Sequence, residues 1–440
     1  MDLDLFLVGL FVLFSAAVLV GELMTRIGQA ALVGQLAVGV VLGPTLLGPY
    51  LGLNGSSDAI SGIQFLATFF ILVMAGLDIS PEALWATGRS GLLLGLAVFL
   101  VPFGAGAILV PLVYPGLPYL TSLFVALTLS ITALPVMGVM LSEFRIGKTP
   151  MGALLLNAAV INELAAVTVF AILLRLHSSV TGGADLLGVA IAVVSVLLFL
   201  SAVLTVHMAL RALRQSRVWF GLRDGFRRTW RSKEAGFAVL MMMALGAALF
   251  SQYLGLTFLV GAFYAGLLVT PQSAGRQEHR SISQVFDAMT WGFFIPLFFA
   301  FVGLQMDLGS LVVSVPALAS FAVLVAFAIL SKFLAGERVA RAIGWSAGEA
   351  RSIGFLVSSR GAVELAMALL LLQAGVFTLG LYTVVAGVGL VTTVLAPIGA
   401  AHLGHLPRPS SEDRRLERSG AGTSLPPLTP ALSVTEVGDP

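Results

Sequence analysis

Acidic residues are scarce inside the apolar stretches of this sequence, and the deepest is Glu163, in the run NAAVINELAAVTVF. It lies about fourteen residues from the inner end of the apolar stretch 149–174, or ~20 Å at ~1.5 Å per residue, well inside a ~30 Å hydrocarbon core. An ionised carboxylate at that depth is costly unless it meets a partner, water or a bound cation. A carboxyl group that a proton or a cation can neutralise, one at a time, is the minimum chemistry of proton-coupled exchange. Oxygen ligands also suit hard cations such as sodium, which makes Glu163 the candidate for a transient monovalent cation site. The alternative is a structural ion pair. Asn162 beside it and Asn157 five residues before that argue against it, because they concentrate polar groups at one depth.

Of the 24 basic residues, only Lys332 and Arg360 fall inside apolar runs. Glu364 follows Arg360 by four residues, so the two share a helix face and can pair. Such a pair lines an ion path or simply satisfies two charges beside a helix break. Lys332 is either a titrating partner for Glu163 or a lysine snorkelling to the interface. Glu22 and Arg26 read as an interfacial anchor, and Asp78, before Ile79-Ser80-Pro81-Glu82, as part of a helix end and cap. The histidines, His177, His207, His279, His402 and His405, have no metal-ligand spacing. With no cysteine, thiolate metal sites and thiol nucleophiles are excluded. No phosphate loop or nucleophile–base–orienter set is found, so nothing supports an enzyme or a cofactor. A net charge of +2 gives no footing for nucleic acid.

The elements that must position these groups are set by the solvent. Hydrophobic residues make up 58% and charged residues only 10% of the 440, where a soluble domain carries about a quarter charged. Mean hydropathy is +1.01. Apolar runs of about twenty residues then read as membrane-spanning helices, giving an all-α polytopic membrane protein. The spacing predicts about thirteen spans, near 4–24, 29–51, 60–78, 90–114, 119–141, 149–174, 184–210, 235–252, 254–270, 288–306, 314–334, 352–373 and 378–402. With the N-terminus outside, the inner loops collect Arg26, Arg89, Arg145, Lys148, the cluster from Arg211 to Lys233, Arg276, Arg280, Arg338, Arg341 and Arg351; the outer loops hold only Arg175. That bias predicts an N-out, C-in multi-pass protein of the cell membrane.

The domain reading follows: a transmembrane unit over 1–406, a basic amphipathic connector over 211–233 lying on the inner lipid surface, and a disordered cytosolic tail over 407–440. Six spans precede the seventh and six follow it, the arrangement of inverted repeats. The corresponding fifth and twelfth spans are both interrupted, by Thr132-Ala133-Leu134-Pro135 (with Ser130 just before) and by Ser358-Ser359-Arg360-Gly361. Pro and Gly at mid-depth expose backbone carbonyls and amides, and paired breaks point to a transport site.

At these residues the sequence resembles the cation:proton antiporter-2 family. The resemblance runs through residues 1–402 and is carried by VVLGPTLLG (40–48), FILVMAGLDIS (70–80), TLSITALPV (128–136), NAAVINELAA (157–166), FFIPLFFAFVGLQMDL (293–308), SKF (331–333) and SSRGAVELAMA (358–368). It implies a mobile core with two crossed, broken helices beside a dimerisation domain, and hence a homodimer. It also implies exchange of a monovalent cation, Na+ or K+, for protons by elevator-type movement. On this pattern Asn162-Glu163 stands at the family's acidic pair, Lys332 at the core lysine that pairs with it, Thr132 at the crossed helix, and Arg360 with Glu364 at the arginine-glycine motif. The acid is Glu rather than the family's Asp, and the acid after Arg360 comes four residues on, not two. The rival readings are proton-coupled transport of a small organic solute on the same architecture, and a non-transporting receptor.

Overall fold

A computed structural model of the chain describes residues 3–26, 29–43, 58–78, 88–144, 146–147, 149–180, 186–215, 235–269 and 276–404. Every regular element among them is helical: α1 (Leu3–Arg26), α2 (Ala31–Leu42), α3 (Asp58–Leu77), α4 (Gly88–Val113), α5 (Tyr119–Thr128), α6 (Leu134–Glu143), α7 (Pro150–Val180), α8 (Leu186–Gln215), α9 (Ala235–Tyr253), α10 (Phe258–Leu268), α11 (Arg276–Met289), α12 (Ile295–Leu304), α13 (Leu308–Val313), α14 (Val315–Ala342), α15 (Ala347–Leu356), α16 (Ala362–Gln373) and α17 (Leu379–Leu403). Helix occupies each apolar stretch picked out above. Among the described residues, seven helices are long and apolar enough to cross a bilayer, and shorter apolar helices account for other stretches. The connector beyond Gln215 and the tail lie outside the described residues, as do Ile79 to Glu82.

Hydropathy finds only the oily part of a helix, so several elements outrun their predicted bounds. α14 continues to Ala342, where Glu337 and Arg341 pair at 2.6 Å one turn apart, a spacing that supports helix. α15 starts at Ala347 on a capping box, Ser346 and Glu349 each satisfying the other's end of the helix. The tenth stretch begins at Arg276, and its middle, Thr290–Phe294, is a π-helical turn. Pro296, at the start of α12, lacks the N–H that would continue the regular ladder there.

The helices sort into two packing groups: α1, α2, α3, α9, α10, α11 and α12 pack mainly on one another, and α4 to α7 pack with α14 to α17. In the first group, two crossings are built alike. A Cβ on Gly39 of α2 would collide with the Ala300 carbonyl of α12, and one on Gly303 with the Leu36 carbonyl. Gly76 of α3 and Gly266 of α10 stand in the same relation to the carbonyls of Phe263 and Val73. Without a hydrophobic drive between helices in lipid, small residues that let backbones meet hold such crossings. The sequence around them repeats: Leu32-Val33-Gly34 with Gly39 recurs as Leu259-Val260-Gly261 with Gly266.

Candidate functional site

Residues 129–133, between α5 and α6, leave a helix without leaving the protein interior, so their backbone groups need partners from elsewhere. Three consecutive carbonyls find them on three different segments: the second break, α7 and α14. The Leu129 carbonyl accepts from the Arg360 guanidinium, which also donates to the Thr128 carbonyl at 2.7 Å. The Ser130 carbonyl accepts from Asn162 Nδ2 of α7 at 3.0 Å. The Ile131 carbonyl accepts from Lys332 Nζ of α14. Asn162 Oδ1 accepts the Thr132 N–H at 2.7 Å, so one side chain ties down both edges of the turn. Thr132 Oγ1 donates to the Val357 carbonyl at 2.8 Å and accepts from Lys332 Nζ at 2.7 Å. Ser130 contributes through its carbonyl; its hydroxyl turns back to the Ala126 carbonyl at 2.6 Å.

The second break, between α15 and α16, crosses the first at Gly361. A Cβ there would sit 2.7 Å from both Ala133 Cβ and Val136 Cγ2, which leaves room only for glycine. Arg360, fully buried, holds Glu364 Oε1 at 2.9 Å. The Arg360 carbonyl accepts from Thr393 Oγ1 of α17 at 3.1 Å.

Glu163 is fully buried on α7, one residue past Asn162. Its carboxylate faces the backbone N–H of Leu134, the residue that opens α6, and the N-terminal pole of a helix favours negative charge. Neither Oε1 nor Oε2 closes a hydrogen bond. A buried carboxylate with both oxygens open, beside a break whose backbone carbonyls are held by Arg360, Asn162 and Lys332, is a ligand set with capacity to spare. Asn157, also on α7, is buried.

The expected pairing of Lys332 with Glu163 is not what the structure has. α14 runs through Lys332 to Ala342, the lysine is fully buried rather than snorkelling, and its ammonium is spent on the Ile131 carbonyl and the Thr132 hydroxyl. Glu364 does pair with Arg360, and that pair braces α5 rather than standing apart from it.

Two residues acquire significance only here. Asp78, exposed at the end of α3, lies within electrostatic reach of Glu163 and of Asp287. Thr393 holds the second break; a Thr392-Thr393 pair in an apolar run was its one visible signal. Among the described residues no group of His, Asp or Glu forms a conventional metal centre.

Comparison with known proteins agrees with this architecture. Residues 11–404 match the family described as sodium/hydrogen exchanger, transmembrane. The chain is 27% identical to the Na(+)/H(+) antiporter NhaS4 of Synechocystis sp., over 89% of this chain and 95% of that one. It is 25% identical to the Na(+)/H(+)-K(+) antiporter GerN of Bacillus cereus, over 86% and 91%. Its fold is similar to that of the sodium proton antiporter MjNhaP1 of Methanocaldococcus jannaschii, with a TM-score of 0.66 at 14% identity, covering 92% of this chain and 99% of that one.

Proposed function

Because the chain belongs to the sodium/hydrogen exchanger transmembrane family, we propose that it is a secondary antiporter exchanging Na+ or K+ for protons, with Glu163 as the group that carries either. The observation behind this is the environment of one side chain. Glu163 is fully buried, points at a helix N-terminus and has neither oxygen bonded, so charge neutrality there calls for a proton or a cation. Asn162 fixes the turn next to it, and the break supplies carbonyl and hydroxyl oxygens for a cation.

The two packing groups support a reading of alternating access in which α4 to α7 and α14 to α17 move as an elevator against the rest in a homodimer. In this reading the protein lies in the cell membrane, and the loop-charge bias supports an outside N-terminus. The test is proton flux in proteoliposomes driven by a Na+ or K+ gradient. Glu163→Gln should reduce flux to the protein-free background. Retained cation-driven flux in that variant contradicts the assignment.

A further inference from the structure

We propose that Tyr382 and Gln373 latch the two packing groups together at the outer ends of their helices, and that release of this latch sets how often Glu163 faces outward. This rests on the antiport reading above, with its outside N-terminus. The residues concerned border the links that enter α3, leave α12 and enter α17, which the loop charges put on one side of the membrane.

α12 ends at Leu304, and its last carbonyls are short of donors from their own helix. Tyr382, fully buried in the first turn of α17, donates its hydroxyl to one of them, the Val302 carbonyl, at 3.0 Å. Thr383 donates to the Leu379 carbonyl at 2.8 Å and so turns a lone pair to the Asp307 N–H, 3.0 Å away in the link that leaves α12. Gln373, closing α16, donates to Gln64 Oε1 of α3 at 3.3 Å. Apolar side chains seal the same end. Met306, Val376 and Phe377 are buried although they lie between helices, and a Cβ on Gly387 of α17 would come within 3.9 Å of Met306.

Closer to the site, Thr168 of α7 gives its proton to the Leu164 carbonyl, which leaves Tyr264 of α10 to donate to Thr168 Oγ1 at 3.1 Å. That contact lies about 7.5 Å along α7 from Glu163, toward the same outer end. The opposite end differs: α3 finishes there at the exposed Asp78. Bonds that join one group to the other are lost when the groups slide, so they weight the equilibrium toward a shut outer end. α17 carries this to the site, because its Thr393 also holds the Arg360 carbonyl of the second break.

The chain has no cysteine, so a thiol placed at Met306 reports opening without background. In purified protein Met306→Cys should react slowly with a charged methanethiosulfonate, and adding Tyr382→Phe should raise that rate about fivefold, the weight of one hydrogen bond. An unchanged rate overturns the latch. So does an equal rise from Thr392→Val, whose hydroxyl bonds back to the Val388 carbonyl of its own helix. The second test joins Gln64→Cys to Gln373→Cys with a short bifunctional methanethiosulfonate. Cation-driven proton flux in proteoliposomes should then disappear and return on reduction, while the joined protein keeps its cation-dependent thermal stabilisation. Full flux through the joined protein overturns this inference and leaves the antiport reading intact. Absence of cation-driven flux from wild-type protein overturns the antiport reading, and the inference with it.

Discussion

At the first break the charges that hold the backbone come from other helices, Arg360 and Lys332 reaching in from the second break and from α14. The second break carries its own guanidinium, pairs it one turn on with Glu364, and otherwise relies on the hydroxyls of Thr132 and Thr393. The difference bears on what each can do. A charge covalently part of its own break, and paired within it, is an anchor. Arg360 carries that anchoring into the first break as well, so the charge there that can leave is Lys332, borrowed from α14, and the first break is also the one that faces the unbonded Glu163. One crossing thus combines a fixed half with an exchangeable half.

The contrast breaks most visibly at Arg360. Arg360→Met removes the partner of Glu364 and orphans two carbonyls, and stripping one member from a buried pair costs about 3–5 kcal/mol. A large drop in the detergent melting temperature is expected, with transport lost through unfolding rather than through cation affinity. Gly361→Ala drives a methyl into Ala133 and Val136; overpacking of that kind costs roughly 1–3 kcal/mol, read by the same melt and by a shorter half-life on heating. Thr393→Val removes one hydrogen bond from the second break, worth about 1 kcal/mol, and should lower the melting temperature slightly with flux nearly normal. Glu163→Gln sharpens the comparison from the other side. Since no bond holds that carboxylate, the variant should melt at or above the wild-type temperature while flux disappears.

The sequence announced the depth of Glu163, Lys332 and Arg360, because a charge in an apolar run is conspicuous on energetic grounds alone. It announced both breaks through Pro135 and Gly361, and the Arg360–Glu364 pair through its one-turn spacing. It did not disclose which groups Lys332 meets, since Ile131 lies 201 residues away and the meeting depends on how two broken helices cross. Ser130 was conspicuous for a hydroxyl, yet what Asn162 uses is its carbonyl, which every residue type possesses. Asp78 sat where a cap is expected, and only the fold brings α3 within reach of Glu163. The two α2/α12 and α3/α10 crossings were legible as glycines but not as pairs, because close approach is a property of two backbones at once.

The claim that Glu163 holds a proton or a cation, never both, is tested most directly by proton release. Purified protein in weakly buffered detergent solution is titrated with Na+ or K+ while the pH is followed. Wild-type protein should release protons in proportion to cation bound, and Glu163→Gln should release none. Saturable cation binding without acidification, or equal acidification by the variant, would contradict the account.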